Sequence, residues 1–250
     1  MAVNSVEGQV APTGDDERAR WEARSRVVLT PVAAPSILGL FGFAAATLDV
    51  ASNLAGWWGT STSALYLAPF LIVFGGIAQF LAGMWSYKAR DGLATAMHGM
   101  WGSFWIAFGM LQLFMGTGVI ARPAGSATYF PALALWFVML GLITFIGALA
   151  SLPRGAGMFG TLITLAAGSS LLAAAYLTGT LAIRQAGGWV LVASAGFAVY
   201  TASALLFAEA SGGRTILPLG KLGKAPNKPG ARIIHPIQYA ESEPGVKAGQ

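Results

Sequence analysis

Few residues of this chain have side chains suited to chemistry, and their placement says what that chemistry is not. The two histidines, His98 and His235, have no partner at metal-ligand spacing, so neither a zinc nor a haem site is expected. There is no cysteine, hence no disulfide and no thiolate chemistry. No nucleophile stands beside an acid–base pair, which disfavours an enzyme and implies no cofactor. What remains is a handful of polar groups inside long apolar runs: Asp49, Asn53, Gln79, His98 and Ser103. Polar groups in such surroundings are costly, and they mark pathways or polar packing. Asp49 reads as a proton carrier or, more plainly, as a hydrogen-bonded acid near an outer interface. His98 reads first as packing and second as a relay.

The elements that must hold these groups follow from composition. Of 250 residues, 55% are hydrophobic and 10% are charged, whereas a soluble domain carries roughly a quarter charged. The chain is therefore expected to be an all-α integral membrane protein, multi-pass in the plasma membrane. Six spans are predicted, at about 35–58, 64–87, 93–115, 130–152, 156–179 and 188–208, each with some twenty largely apolar residues. Short connections make successive helices alternate in direction. Residues 1–30 contain no signal-peptide core, so no cleavage is expected.

Charge sets the orientation. With the N-terminus inside, thirteen basic residues fall on the cytoplasmic side and two, Arg122 and Arg184, outside. The positive-inside rule then places both termini in the cytoplasm. The net charge of +5 resides in ends and turns, so it speaks of topology and not of nucleic acid. Residues 1–33 form a cytoplasmic tail in which DDERARWEARSRVVL (15–29) is either an interfacial helix or a solvated basic stretch. Residues 34–211 form the six-helix domain. Residues 212–250 form a cytoplasmic, basic, Pro- and Gly-rich tail expected to be mostly flexible; its one apolar patch, Ile233–Ile237, either docks on the cytoplasmic face or has no role.

Depth along the helices groups the polar residues. Asp49 is fourteen residues past Pro35, about 21 Å along the first helix. Asn53 lies one turn further, with Gly42 and Ala46 below on the same face. Ser169-Ser170 of the fifth helix reach a similar level. Gln79 and His98 lie about eight and six residues from the inner ends of their helices, placing both at the level of an inner vestibule.

Three blocks carry a resemblance. Ala34–Phe43 reads A-P-S-I-L-G-L-F-G-F, Gly75–Gly83 reads G-G-I-A-Q-F-L-A-G with G-S-F-W at Gly102–Trp105, and Gly213–Gly220 reads G-R-T-I-L-P-L-G. In this order they resemble the acetate uptake transporter family, the succinate–acetate permeases. The resemblance implies a urea-channel/acetate-permease-like bundle assembled as a homo-hexamer in a bacterial inner membrane, with one path per protomer. It implies a small carboxylate such as acetate as substrate, moved with protons or by channel-like anion flow. It also implies a narrow point ringed by apolar side chains from the first, third and fifth helices. Phe43 and Trp101 fall on two of those positions; the third, a leucine, has no landmark in the fifth helix.

The chain departs from the family at several points. Ala34 and Ile37 replace an Asn and a Pro, Trp101 stands where the family has Tyr, and Asp49 has an apolar counterpart. An apolar ring penalises a bare carboxylate by desolvation, so Gln79, Ser103 and Asn53 are the expected flanking polar groups. Two other readings keep the architecture: a channel for a neutral urea- or amide-like solute, and a non-transporting subunit whose tails bind partners.

Overall fold

The computed structural model describes residues 32–121, 128–220 and 222. Within them the chain forms six helices: α1 (Pro35–Leu54), α2 (Ser63–Lys88), α3 (Gly92–Gly116), α4 (Pro131–Ser151), α5 (Ala156–Thr178) and α6 (Leu181–Ala210). Five of them are long and apolar enough to cross a membrane. The exception is α3, which at 25 residues has the length but is diluted by His98, Ser103, Gln112 and several glycines.

Local chemistry explains the ends. Pro35 and Pro131 open α1 and α4, where a missing N–H costs nothing. The Asp91 carboxylate accepts from the Ala94 N–H at 2.9 Å and caps α3. Gly179, at φ 70°, closes α5 in the left-handed conformation. Inside α2, Pro69 is followed by a π-helical stretch, Leu71–Ala78. Pro69 has no N–H to donate, and the next turns widen instead of keeping α-helical register. Gln79 is the first residue after that stretch.

The helices pack in a closed order: α1 between α2 and α6, α5 between α4 and α6, and α2 against α3, with a much thinner α3–α4 junction. The α2–α3 contact is made by glycines seven residues apart on each helix: Gly76 and Gly83 of α2 lie against Ile106 and the Gly99 backbone, and Gly102 and Gly109 of α3 lie against Phe80 and Ile72. A methyl at Gly102 would lie 2.6 Å from the Phe80 nitrogen. Close backbone approach of this kind is how helices associate where lipid supplies no hydrophobic drive.

Four expectations need adjustment. First, α1 stops at Leu54, and Trp57-Trp58 belong to the following turn, where the Trp58 indole donates to Ser52 Oγ at 2.8 Å. Second, α6 begins at Leu181, not near Gly188, so Arg184 stands in its first turn. At 30 residues α6 is about 45 Å long, more than the hydrocarbon needs, which leaves its first turns for the interface. Third, the Gly213–Gly220 block is not a free tail. Ala156 and Gly157 N–H donate to the carbonyls of Gly220 and Leu219 at 3.2 and 3.0 Å, satisfying donors that the start of α5 would otherwise leave bare. Tyr200 Oη adds a bond to the Pro218 carbonyl at 2.7 Å. Fourth, α2 is not one regular helix, as the π stretch shows. The 15–29 segment and the Ile233–Ile237 patch lie outside the described residues.

Candidate functional site

Because α1, α3 and α5 run in the same direction, residues at equal counts from their starts share a level. Phe43 is the ninth residue of α1, Trp101 the tenth of α3 and Leu165 the tenth of α5. All three are buried. The Phe43 and Trp101 rings meet edge to face with centroids 6.1 Å apart.

A cavity lies on either side of this level. The inner one, toward the ends where the odd helices begin, is lined by Ser36, Leu40, Phe43, Gln79, His98 and Arg154 among others. The outer one is lined by Thr47, Val50, Phe104, Phe137, Leu172 and Tyr176 among others. Trp101 and Leu165 line both, so they form the partition, with Phe43 closing the inner side. Measured as space for water centres, the cavities hold about 30 and 20 Å³. One water needs about 10–15 Å³ on that measure, so the inner cavity has room for two or three waters and the outer for one or two, with Trp101 and Leu165 standing between them.

The polar groups along the cavities are buried and underused. Gln79 is 2% exposed and His98 4%, yet Gln79 Oε1 and His98 Nδ1 have no hydrogen-bond partner among the described residues. The imidazole lies flat against α1: a methyl at Gly39 would come within 2.5 Å of Nδ1. In the outer cavity Thr47 Oγ1 is likewise without a partner. The charged group on the inner cavity's wall is Arg154, whose guanidinium pairs with the Asp91 carboxylate. The outer lining contains no charge.

Three residues expected near the path stand elsewhere. Ser103 is exposed, and its hydroxyl donates to the Gly99 carbonyl one turn back at 2.8 Å; it sits on the side of α3 opposite the ring. Asn53 donates from Nδ2 to the Trp58 carbonyl at 2.9 Å and holds the turn after α1. Asp49 is half-buried beside exposed Leu48 and lines neither cavity. Ser170 bonds the Ala166 carbonyl at 2.9 Å, and both Ser169 and Ser170 pack against Gly141 at the α4–α5 contact.

Leu165 and Arg154 line the cavities and Thr144 accepts from the Trp101 indole, and none of the three stands out in the sequence as a candidate. Counting residues from the start of each odd helix would have found Leu165. Arg154 was visible as a topology charge only. Thr144, fully buried on α4, accepts the Trp101 indole N–H at 2.9 Å, and nothing in its sequence context sets it apart.

Six helices enclosing two cavities end to end, separated by an apolar ring, describe a multi-pass membrane transport protein. The chain matches the GPR1/FUN34/yaaH family, the acetate uptake transporters, over residues 22–217 and belongs to it. It is 31% identical over 193 residues to the succinate-acetate/proton symporter SatP of Escherichia coli K12, covering 77% of this chain and 97% of that protein. It is 29% identical over 197 residues to an uncharacterized protein of Methanothermobacter thermautotrophicus, covering 77% of this chain and 93% of that one. Its fold is similar to the structure of the bacterial acetate channel SatP, with a TM-score of 0.67 at 26% identity over 76% of this chain and 99% of that one.

Proposed function

We propose that the chain moves acetate, or a monocarboxylate of similar size, across a bacterial inner membrane together with a proton, each protomer of a homo-hexamer holding its own path. The observation that carries the reading is the ring of Phe43, Trp101 and Leu165 between two cavities at one level. A methyl group passes such a ring with little loss, while a bare carboxylate loses its hydration. Pairing the carboxylate with a proton removes most of that penalty, and the absence of charge from the outer lining favours a neutral passenger there. Gln79 and His98 face the solute on the inner side, and Arg154 at the mouth attracts the anion before it is protonated. The two aromatics close the pore by excluding water. Asp49, half-buried on the outer side of α1, serves either the contact between protomers or the outer interface, not the path.

The test is uptake of labelled acetate into proteoliposomes across a pH gradient. Uptake above that of protein-free liposomes, rising when the outside is made more acid, is the expected result. Acetate flux independent of the proton gradient would rule out coupling. Flux of urea but not acetate would favour the neutral-solute channel, and no flux of either would favour a non-transporting subunit.

A further inference from the structure

We infer that Thr144 is the residue that holds the ring shut: its hydroxyl pins the Trp101 indole and so limits the size of carboxylate that passes. The inference rests on the path proposed above. Trp101 is the ring member that both cavities share with Leu165, so its orientation decides whether they join. Its aromatic neighbours, Phe43, Phe104 and Trp105, lie with ring centroids at 6.1, 5.2 and 6.3 Å. Those contacts are soft in direction and tolerate a tilt of the ring. The bond from Nε1–H to Thr144 Oγ1, at 2.9 Å, is directional, and an indole N–H can only donate.

Its place in the bundle gives that bond leverage. Thr144 lines neither cavity, so it meets no solute and acts through Trp101 alone. It also spans a thin junction of the bundle, between α3 and α4. Both partners are buried, where breaking the bond leaves a donor without water to replace the lost acceptor. The indole can then be satisfied only by turning toward a cavity, which is the motion that opens the ring. Where the family's Tyr carries a hydroxyl able to donate or accept, this chain has a bulkier side chain with a fixed tether.

The test compares Thr144→Val, which keeps the shape and loses the acceptor, with Thr144→Ser, which keeps the acceptor. Labelled acetate and the bulkier butyrate are followed in proteoliposomes. Independently, ¹⁹F NMR of 5-fluorotryptophan protein follows Trp101, whose line is assigned by its loss in Trp101→Phe. In Thr144→Val the butyrate-to-acetate flux ratio should rise about fivefold, the factor that a hydrogen bond of ~1 kcal/mol makes at 1.4 kcal/mol per decade. The Trp101 line should shift or split in Thr144→Val and stay in place in Thr144→Ser, with the parent flux ratio restored. Should Thr144→Val fail to fold, Thr144→Ala removes the same acceptor without added bulk and is held to the same outcome. An unchanged ratio in the hydroxyl-free variants, or a Ser variant behaving like them, overturns the inference. If the parent carries neither acid, the transport reading fails separately. The ¹⁹F line then decides the tether: movement in Val but not Ser supports the pin, and an unmoved line refutes it.

Discussion

Along one side of α3 the neighbouring helix is met at backbone distance, and along the other only by the ends of side chains. On the α2 side, Gly76, Gly83, Gly102 and Gly109 leave no room for a methyl group. On the α4 side, the junction is a short series of separate links: Asp91 to Arg154 at the mouth, Met97 over Gly147, Trp101 to Thr144, and Phe104 against Phe137. A glycine seam can only hold or separate as a whole, because interiors are close-packed and not continuously deformable. Discrete links can break one at a time. On the path proposed above, the contrast predicts that α2 and α3 keep their contact while the ring opens on the α3–α4 side.

The largest effect belongs to the ring itself. Trp101→Ala removes the partition and should raise acetate flux per folded protein by roughly tenfold, the ratio that ~1.4 kcal/mol in a barrier makes. It should also cost roughly 3–5 kcal/mol of stability, as large-to-small changes of buried aromatics do. Flux is therefore normalised to monodisperse protein recovered by size exclusion. Parent-level flux in well-folded Trp101→Ala would mean that the rings only pack, and the α3–α4 side would lose its claim to be the moving one.

The glycine seam is tested next, by two substitutions one turn apart on α3. A methyl at Gly102 would meet the Phe80 backbone nitrogen at 2.6 Å, whereas one at Gly99 would meet only the Met84 Cε at 3.9 Å. Overpacking costs typically 1–3 kcal/mol, which outweighs the ~1 kcal/mol that Ala gains over Gly in a helix. Gly102→Ala should therefore lower the melting temperature by a few degrees, at about 2–4 °C per kcal/mol for a domain of this size. Gly99→Ala should leave it level or raise it slightly. Equal behaviour of the two variants, followed by thermal unfolding in detergent, would show that the α2–α3 contact yields as easily as the α3–α4 one.

Much of this arrangement was readable from sequence, and the exceptions share a cause. The six spans show in composition, because hydrocarbon demands some twenty apolar residues wherever a helix crosses. Phe43 and Gln79 stand in recognisable blocks and Trp101 directly before one. Leu165 does not, since one leucine among the Leu, Ala and Gly of α5 looks like any other. Thr144 resembles the many helical threonines that bond their own helix, as Thr161 does to the Gly157 carbonyl at 2.9 Å; its true partner is 43 residues away. Ser103 and Asn53 misled for the converse reason. Their polarity suggested a path, but short side chains are often satisfied by nearby backbone. The start of α6 was hidden because Arg184 and Gln185 have the look of a loop, and a long side chain at a helix end can reach the interface from within the helix. The job of Gly213–Gly220, capping α5, exists only once the chain has folded back on itself.

The smallest effect is at the mouth, and it decides whether the α3–α4 side is held mainly in the middle or at its end. Asp91 does two things: it caps α3 through the Ala94 N–H and pairs with Arg154. Asn caps about as well as Asp, so Asp91→Asn removes the charge and keeps the cap, while Asp91→Ala removes both. The Arg154 side chain is 35% exposed and that of Asp91 11%, so a freed guanidinium can turn to water and is not left buried without a partner. Pairs of this kind are worth about 0–1 kcal/mol and are screened by salt. Asp91→Asn and Arg154→Gln should each lower the melting temperature by no more than about 2–4 °C. Their double variant should be hardly worse than either, and the differences should shrink near 1 M salt. Asp91→Ala should cost about 1 kcal/mol more, the usual worth of a cap. A coupling between Asp91 and Arg154 above ~2 kcal/mol that survives high salt would place the main fastening at the mouth. The Trp101–Thr144 link would then be the lesser of the two, and opening would begin at the inner end of α3.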